Sequence, residues 1–198
     1  MSETSTSQDH VSYYIDHTIY TGRPADTTSR LPKEIRTYDL LDSLGIAYAR
    51  ADHDTLPTME ACQEVGNLLG IEICKNLFLR NTQKTAFYLL ILPGRKKFKT
   101  AALSKQIGSA RLSFAEPEFM EQYLNITPGS VSVLGLMNDP ENKVRLLIDK
   151  DILKNHPYFG CHPCINTSSL KFRTEDLLNK ILPAIHHDYT MVDLPYAE

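Results

Sequence analysis

Two apolar runs separated by a short polar stretch constrain this chain more than any other feature. Ile73–Arg80 is the first run, Ala86–Leu92 is the second and more strongly apolar, and Asn81–Lys84 between them reads as a turn. Runs of this length bounded by turn residues pair as a β-hairpin. Helical spacing appears on either side. Ile35, Tyr38, Leu40, Leu41 and Leu44 form one stripe, with Pro32 suited to a first turn and Gly45 to a stop. Cys62, Val65 and Leu69 form another, opened by Thr58 with Glu60 favourable to the helix dipole. Ala101–Gln106 and Pro117–Tyr123 predict further short helices, Asp151–Lys154 a short helix or turn, and Thr174–Leu182 a helix capped by Thr174. Further strands are expected at Ile46–Arg50, Leu112–Phe114, Val131–Leu136, Val144–Ile148 and Leu170–Phe172, with Pro128–Gly129 a turn and Gly160–Pro163 a tight loop.

Interleaved strands and helices imply a single α/β (α+β) domain. The expected organisation is an irregular N-terminal arm over 1–30, its first ten residues polar and mobile, followed by one compact domain over 31–190. A domain of that size buries roughly 70% of the surface of its unfolded chain, so its core needs neither disulfide nor metal. The N-terminus lacks the apolar stretch of a secretory signal, and no apolar run approaches the ~20 residues that span a bilayer. The expectation is a cytoplasmic protein, without a membrane partner, whose four cysteines are reduced. The net charge of −3 excludes a generally basic nucleic-acid binder, so any contact with RNA must use a local patch.

Nucleophile-elbow, zincin, Walker and dinucleotide fingerprints are all missing. Three features remain. Lys75 stands in an apolar strand with Asn76 beside it; it is either a lysine that protects a strand edge or a functional cation. Gly160-Cys161-His162-Pro163-Cys164-Ile165-Asn166-Thr167 can present backbone amides and an imidazole to a ligand. Cys161 and Cys164, with His156 and His162 near them, also suggest zinc, but no second ligand pair stands at a sensible spacing. Redox and thiol-nucleophile readings are equally thin, since small buried groups account for both cysteines. Arg95, Lys96, Lys97 and Lys99 form a basic cluster, either a solvated loop or a phosphate-contacting patch. His10, His17, His186 and His187 read as solvated.

The segments Leu56-Pro57-Thr58, Cys74-Lys75-Asn76-Leu77-Phe78-Leu79, Pro128-Gly129-Ser130-Val131-Ser132 and His162-Pro163-Cys164-Ile165-Asn166-Thr167 stand in an order that resembles the YbaK/aminoacyl-tRNA synthetase-associated domain family. Lys-Asn-Leu-Phe-Leu combined with His-Pro-x-x-Asn-Thr is most similar to its freestanding prolyl-tRNA editing branch, ProXp-ala, and the likeness covers roughly residues 30–185. The resemblance implies a mixed, mainly antiparallel sheet flanked by helices. It implies a trans-editing deacylase that hydrolyses alanine wrongly esterified to tRNA(Pro), without metal or cofactor, with prolyl-tRNA synthetase as a candidate partner. Lys75, Asn76 and His162 would be the catalytic set. Gly160, Cys161, Pro163, Cys164, Asn166 and Thr167 would bind the aminoacyl group. Arg95, Lys96, Lys97 and Lys99 would meet the tRNA. Many relatives carry an aliphatic residue where Cys164 stands, which bears on pocket size. The alternatives are a deacylase for cysteinyl-tRNA(Pro) or another small residue, and a non-catalytic module that binds tRNA or a synthetase.

Overall fold

A computed structural model of the chain describes residues 12–196; the expectations for residues 1–10, His10 included, fall outside them. In chain order the elements begin β1 (Tyr20–Thr21), α1 (Pro32–Ser43), β2 (Ala49–Asp52), α2 (Met59–Leu69), β3 (Cys74–Asn81) and β4 (Phe87–Pro93). They continue with α3 (Thr100–Ile107), β5 (Leu112–Phe114), α4 (Pro117–Leu124), a 3-10 helix (Val133–Asn138), β6 (Val144–Asp149) and α5 (Lys150–Asn155). Strands β7 (Tyr158–Cys161) and β8 (Ser168–Arg173) follow. Helix α6 (Thr174–Asp176) then runs through a π-helical turn (Leu177–Ile181) into α7 (Leu182–Ala184), and β9 (Tyr189–Val192) ends the series.

The hairpin forms as read. Strands β3 and β4 are antiparallel, Lys75 opposite Leu92 and Phe78 opposite Leu89. Asn81 organises the turn: its Oδ1 accepts from the amides of Thr85 and Ala86 at 2.9 and 3.2 Å. Every residue of β4 is buried, and a strand covered on both faces reads as a continuous apolar run. Strand β6 lies parallel to β4, β9 parallel to β6, and β5 antiparallel to the far end of β3, giving the order β5-β3-β4-β6-β9. The connection from β6 to β9 leaves this sheet and builds β7 and β8, which join β2 and β1 in an antiparallel sheet of order β1-β2-β8-β7.

The chain is the expected single α/β domain with helices flanking its strands, and the strands divide into a mixed five-stranded sheet and an antiparallel four-stranded one. The main core lies between them. Cys74, Phe78, Phe87, Leu89 and Ile91 from the hairpin meet Phe159, Cys161, Leu170 and Phe172 from the other sheet. Burial of each large apolar side chain contributes roughly 1.5–3 kcal/mol. The opposite face of the hairpin, with Leu79, Leu90 and Leu92, packs on Leu103 of α3. Helix α2 packs Ala61, Val65 and Leu69 against Ala51 and Ile15. Thr58 caps that helix, its hydroxyl accepting from the Ala61 amide at 3.2 Å.

Four local readings change. Val131–Leu136 is not a strand: Ser132 accepts from the Leu134 amide at 3.2 Å and starts the 3-10 helix. Val133 to Leu136 are all buried, so no alternation was there to separate helix from strand. Gly160 and Cys161 belong to β7, and the loop begins only at His162. Thr174 does not cap its helix; its hydroxyl donates to the His156 carbonyl. His187 is buried, held between Asn142 and Asp139, rather than solvated.

Candidate active site

Strand β5 pairs with β3 only at Leu79, Arg80 and Asn81. The stretch Cys74–Leu77 thus leaves one edge of β3 free, and a cavity of about 230 Å³ opens beside it. Lys75, Asn76, Gly160, Cys161, His162 and Ser169 line this cavity, with Leu56, Ile71, Val131 and Leu170 among its apolar walls. Residues 75 and 162, far apart in the chain, border one space.

The pleat sends neighbouring side chains to opposite faces. Lys75 shares a face with Leu77 and Leu79, and Asn76 shares the core-facing side with Cys74 and Phe78. Both reach the cavity because the edge between them is open. The Lys75 ammonium donates to the Lys96 carbonyl at 2.8 Å. Among the described residues no carboxylate pairs with it, so its other N–H groups can serve an anionic ligand. The turn that supplies this carbonyl requires Gly94. The Gly94 amide donates to the Ile73 carbonyl at 3.0 Å, and a Cβ there would lie 2.7 Å from that oxygen. Asn76 donates through Nδ2 to the Cys74 carbonyl at 3.4 Å, while its buried Oδ1 has no partner among the described residues.

Strand β7 ends its sheet, so one of its edges carries backbone groups that no strand pairs. Gly160 is there for space: a Cβ would sit 2.2 Å from Ile71 Cδ1. His162 Nδ1 lies 2.8 Å from the Ser168 carbonyl. A carbonyl only accepts, so Nδ1 carries the proton, and Nε2 of the neutral ring is an acceptor. Burial, with a smaller push from His53, lowers the His162 pKa to about 4 and keeps it neutral at pH 7.

The His53 ring stands edge-on to His162, centroids 6.0 Å apart. Its Nδ1 is 2.8 Å from the Asp54 carbonyl and its Nε2 2.9 Å from Ser169 Oγ. The sequence reading missed this pair. A histidine ending a strand and a serine 116 positions later carry no local signal of contact.

The expected substrate-binding set divides. Gly160 and Cys161 line the cavity, whereas Pro163, Cys164, Asn166 and Thr167 do not; they build the loop behind it. The Pro163 carbonyl accepts from Thr37 at 3.4 Å, and Cys164 is a buried core residue with φ 62°. Asn166 Oδ1 accepts from the Leu56 amide at 3.4 Å, and the Thr167 carbonyl accepts from the His53 amide at 3.1 Å. Burial pushes the Cys74 and Cys164 thiols up to about 12 and Cys161 in the same direction, which keeps all three from being thiolate nucleophiles.

The basic cluster also divides. Arg95, Lys97 and Lys99 are exposed, Arg95 lying 3.5 Å from Glu72 and over the Tyr196 ring. Lys96 is a correction. It is 1% exposed, its ammonium 2.8 Å from Asp149 and 3.0 Å from Asp151, and it cannot reach a phosphate.

Residues 53–180 match the model of the aminoacyl-tRNA editing domain. The chain belongs to the aminoacyl-tRNA editing domain family. As an editing domain it is an aminoacyl-tRNA deacylase, an ester hydrolase. It is 32% identical over 154 residues to the prolyl-tRNA editing protein ProX of Acetoanaerobium sticklandii, covering 78% of this chain and 93% of that one. It is 28% identical over 142 residues to prolyl-tRNA synthetase associated domain-containing protein 1 of Bos taurus, covering 70% and 82%. A solved structure described as a candidate trans-editing enzyme for prolyl tRNA synthetase superposes with a TM-score of 0.62 at 18% identity, over 84% of this chain and 99% of that one, and shares the fold. No helix among the described residues is long and apolar enough to cross a membrane.

Proposed function

We propose that this editing domain removes alanine esterified to tRNA(Pro), acting in trans on the product of a prolyl-tRNA synthetase. The observation that carries the reading is the shared cavity: a lysine without a carboxylate partner and a neutral histidine border one small, largely apolar space. The names of the ProX relative and of the bovine relative support tRNA(Pro) as the carrier.

The ester of an aminoacyl-tRNA is activated, so its hydrolysis needs orientation and charge stabilisation more than a strong nucleophile. In the proposed mechanism Lys75, tethered to the Lys96 carbonyl, holds the terminal phosphate or ribose as a compact cation. Unpaired amides at the β7 edge receive the carbonyl oxygen. Asn76 Oδ1 and His162 Nε2, both acceptors, orient the amino acid. A water positioned by the neighbouring ribose hydroxyl attacks the carbonyl carbon. The ester C–O bond breaks, and the departing ribose oxygen takes up the proton the attacking group loses.

Selectivity comes from exclusion. One or two methylenes are worth only ~1–3 kcal/mol in a pocket, so a proline site cannot fully reject alanine, and a second, tighter site can. Ile71, Val131 and Leu170 form that tighter wall. Arg95, Lys97 and Lys99 lie on the segment that runs past Lys75 and are proposed to follow the acceptor stem.

The test is deacylation of alanyl-tRNA(Pro) against prolyl-tRNA(Pro) and cysteinyl-tRNA(Pro), with wild type and Lys75→Ala. The reading expects alanine to be cleared and proline spared. Equal clearance of proline, or undiminished turnover in the variant, overturns it; binding without cleavage would leave a tRNA-binding module.

A further inference from the structure

The proposed mechanism leaves Ser169 and His53 without a role, although the serine borders the same cavity. Hydrogen-bond accounting restricts what this serine can offer. The Asp54 carbonyl accepts only, so His53 Nδ1 is the protonated nitrogen of that ring at 2.8 Å. The Nε2 of the neutral ring then accepts, and the group 2.9 Å from it is the Ser169 hydroxyl, which must donate. Burial lowers the His53 pKa and favours this neutral state. With its one proton spent on His53, Ser169 Oγ can only accept on its remaining side.

We propose that Ser169, held by His53, is the acceptor that binds the α-ammonium of the aminoacyl ester. This rests on the deacylase reading and extends it, since that reading named only Asn76 and His162 as acceptors toward the amino acid. Among the described residues no carboxylate lines the cavity, so an ammonium bound there must be met by neutral acceptors. Lys75 is the only lysine or arginine lining the cavity among the described residues, and its ammonium is turned to the Lys96 carbonyl. Asn76 and His162, whose Oδ1 and Nε2 are acceptors, also line this cavity. Ser169 is itself 8% exposed, so a hydrogen bond made there is shielded from water. Ser169 is a binding residue in this scheme; His53 is a positioning residue that fixes the direction of its hydroxyl.

Two analogues that resist hydrolysis isolate the ammonium: 3′-alanylamino-3′-deoxyadenosine and 3′-propionylamino-3′-deoxyadenosine, which differ only in the amino group. Calorimetric titration of both into wild type, Ser169→Ala, Ser169→Thr and His53→Phe forms a cycle. Wild type should prefer the alanyl analogue by about ten-fold or more, the range of a hydrogen bond to a charged group. Ser169→Ala should remove most of that preference and leave the propionyl affinity within about two-fold. Ser169→Thr, which keeps the hydroxyl, should retain the preference, and His53→Phe should reduce it without touching the propionyl analogue. If Ser169→Ala weakens both analogues alike, the hydroxyl is only a strut between β2 and β8 and the inference falls. Wild type that binds both equally also overturns it and leaves the deacylase reading intact. Wild type that binds neither overturns both.

Discussion

Lys96 holds Lys75 from behind: its backbone carbonyl accepts the Lys75 ammonium at 2.8 Å, while its own ammonium is buried 2.8 Å from Asp149. One lysine is thus a structural anchor and the other is left free of carboxylates at the rim of the cavity. The C-terminal segment closes over the anchor. The Leu194 amide donates to Asp149 at 3.0 Å, and the Tyr196 ring lies 4.8 Å from the Lys96 ammonium.

Charge removal should therefore separate the two neighbours Lys96 and Lys97. Lys96→Met leaves Asp149 buried and unpaired, and the loss of one partner of such a pair costs about 3–5 kcal/mol. Lys97→Glu and Lys99→Glu should leave stability nearly unchanged, weaken tRNA binding, and reduce its salt slope by about one for each phosphate no longer neutralised. Urea denaturation and tRNA titration at several salt concentrations measure the two effects. A stable Lys96→Met protein with weakened tRNA binding would reverse the assignment.

Lys75→Ala should lower kcat/KM by at least ~100-fold, the scale for removing a preorganised electrostatic donor. Its melting temperature should stay close to wild type, because the side chain is only partly buried and breaks no ion pair. Single-turnover deacylation beside a thermal melt checks both halves.

The histidines set a pH dependence of stability. His162 has an ordinary value of 6.5 and a folded value of about 4, because burial disfavours the cation. Between those values the unfolded chain binds a proton that the folded chain does not, so stability rises with pH from about 4 to 6.5 and levels off above. His53 and His187, also lowered by burial, add in the same direction. Urea midpoints from pH 7 down to 4.5 should fall, and His162→Gln should flatten part of that slope. The same depressed value predicts that deacylation shows no loss near pH 6 from protonation of His162.

Gly160→Ala places a Cβ where Ile71 Cδ1 now stands, 2.2 Å away. The clash is with the end of a partly exposed side chain that can turn away, so the loss of stability should be about 1 kcal/mol or less. Because Ile71 also walls the cavity, its displacement should raise KM for the aminoacyl ester. The double variant Gly160→Ala/Ile71→Ala should recover much of both losses. Additive effects in the cycle would show that the two sites do not share this space.

Short-range patterns were enough to read most of the local elements and to name much of the site. The runs that became β3 and β4, the Thr58 cap and the helices begun by Pro32 and Pro117 are short-range patterns, and they formed where the pattern put them. The family motifs likewise pointed to Lys75, Asn76, Gly160 and His162, which border one cavity. What those patterns leave free was set by long-range packing. Alternation marks a strand but not its partner, so the split into two sheets was invisible. Lys96 and Lys97 look alike in a basic run, and only Asp149, 53 residues further on, makes one of them interior. His53 and Ser169 meet solely because β2 and β8 pair. Burial and partnership are properties of residues distant in the chain, and a local pattern carries no record of them.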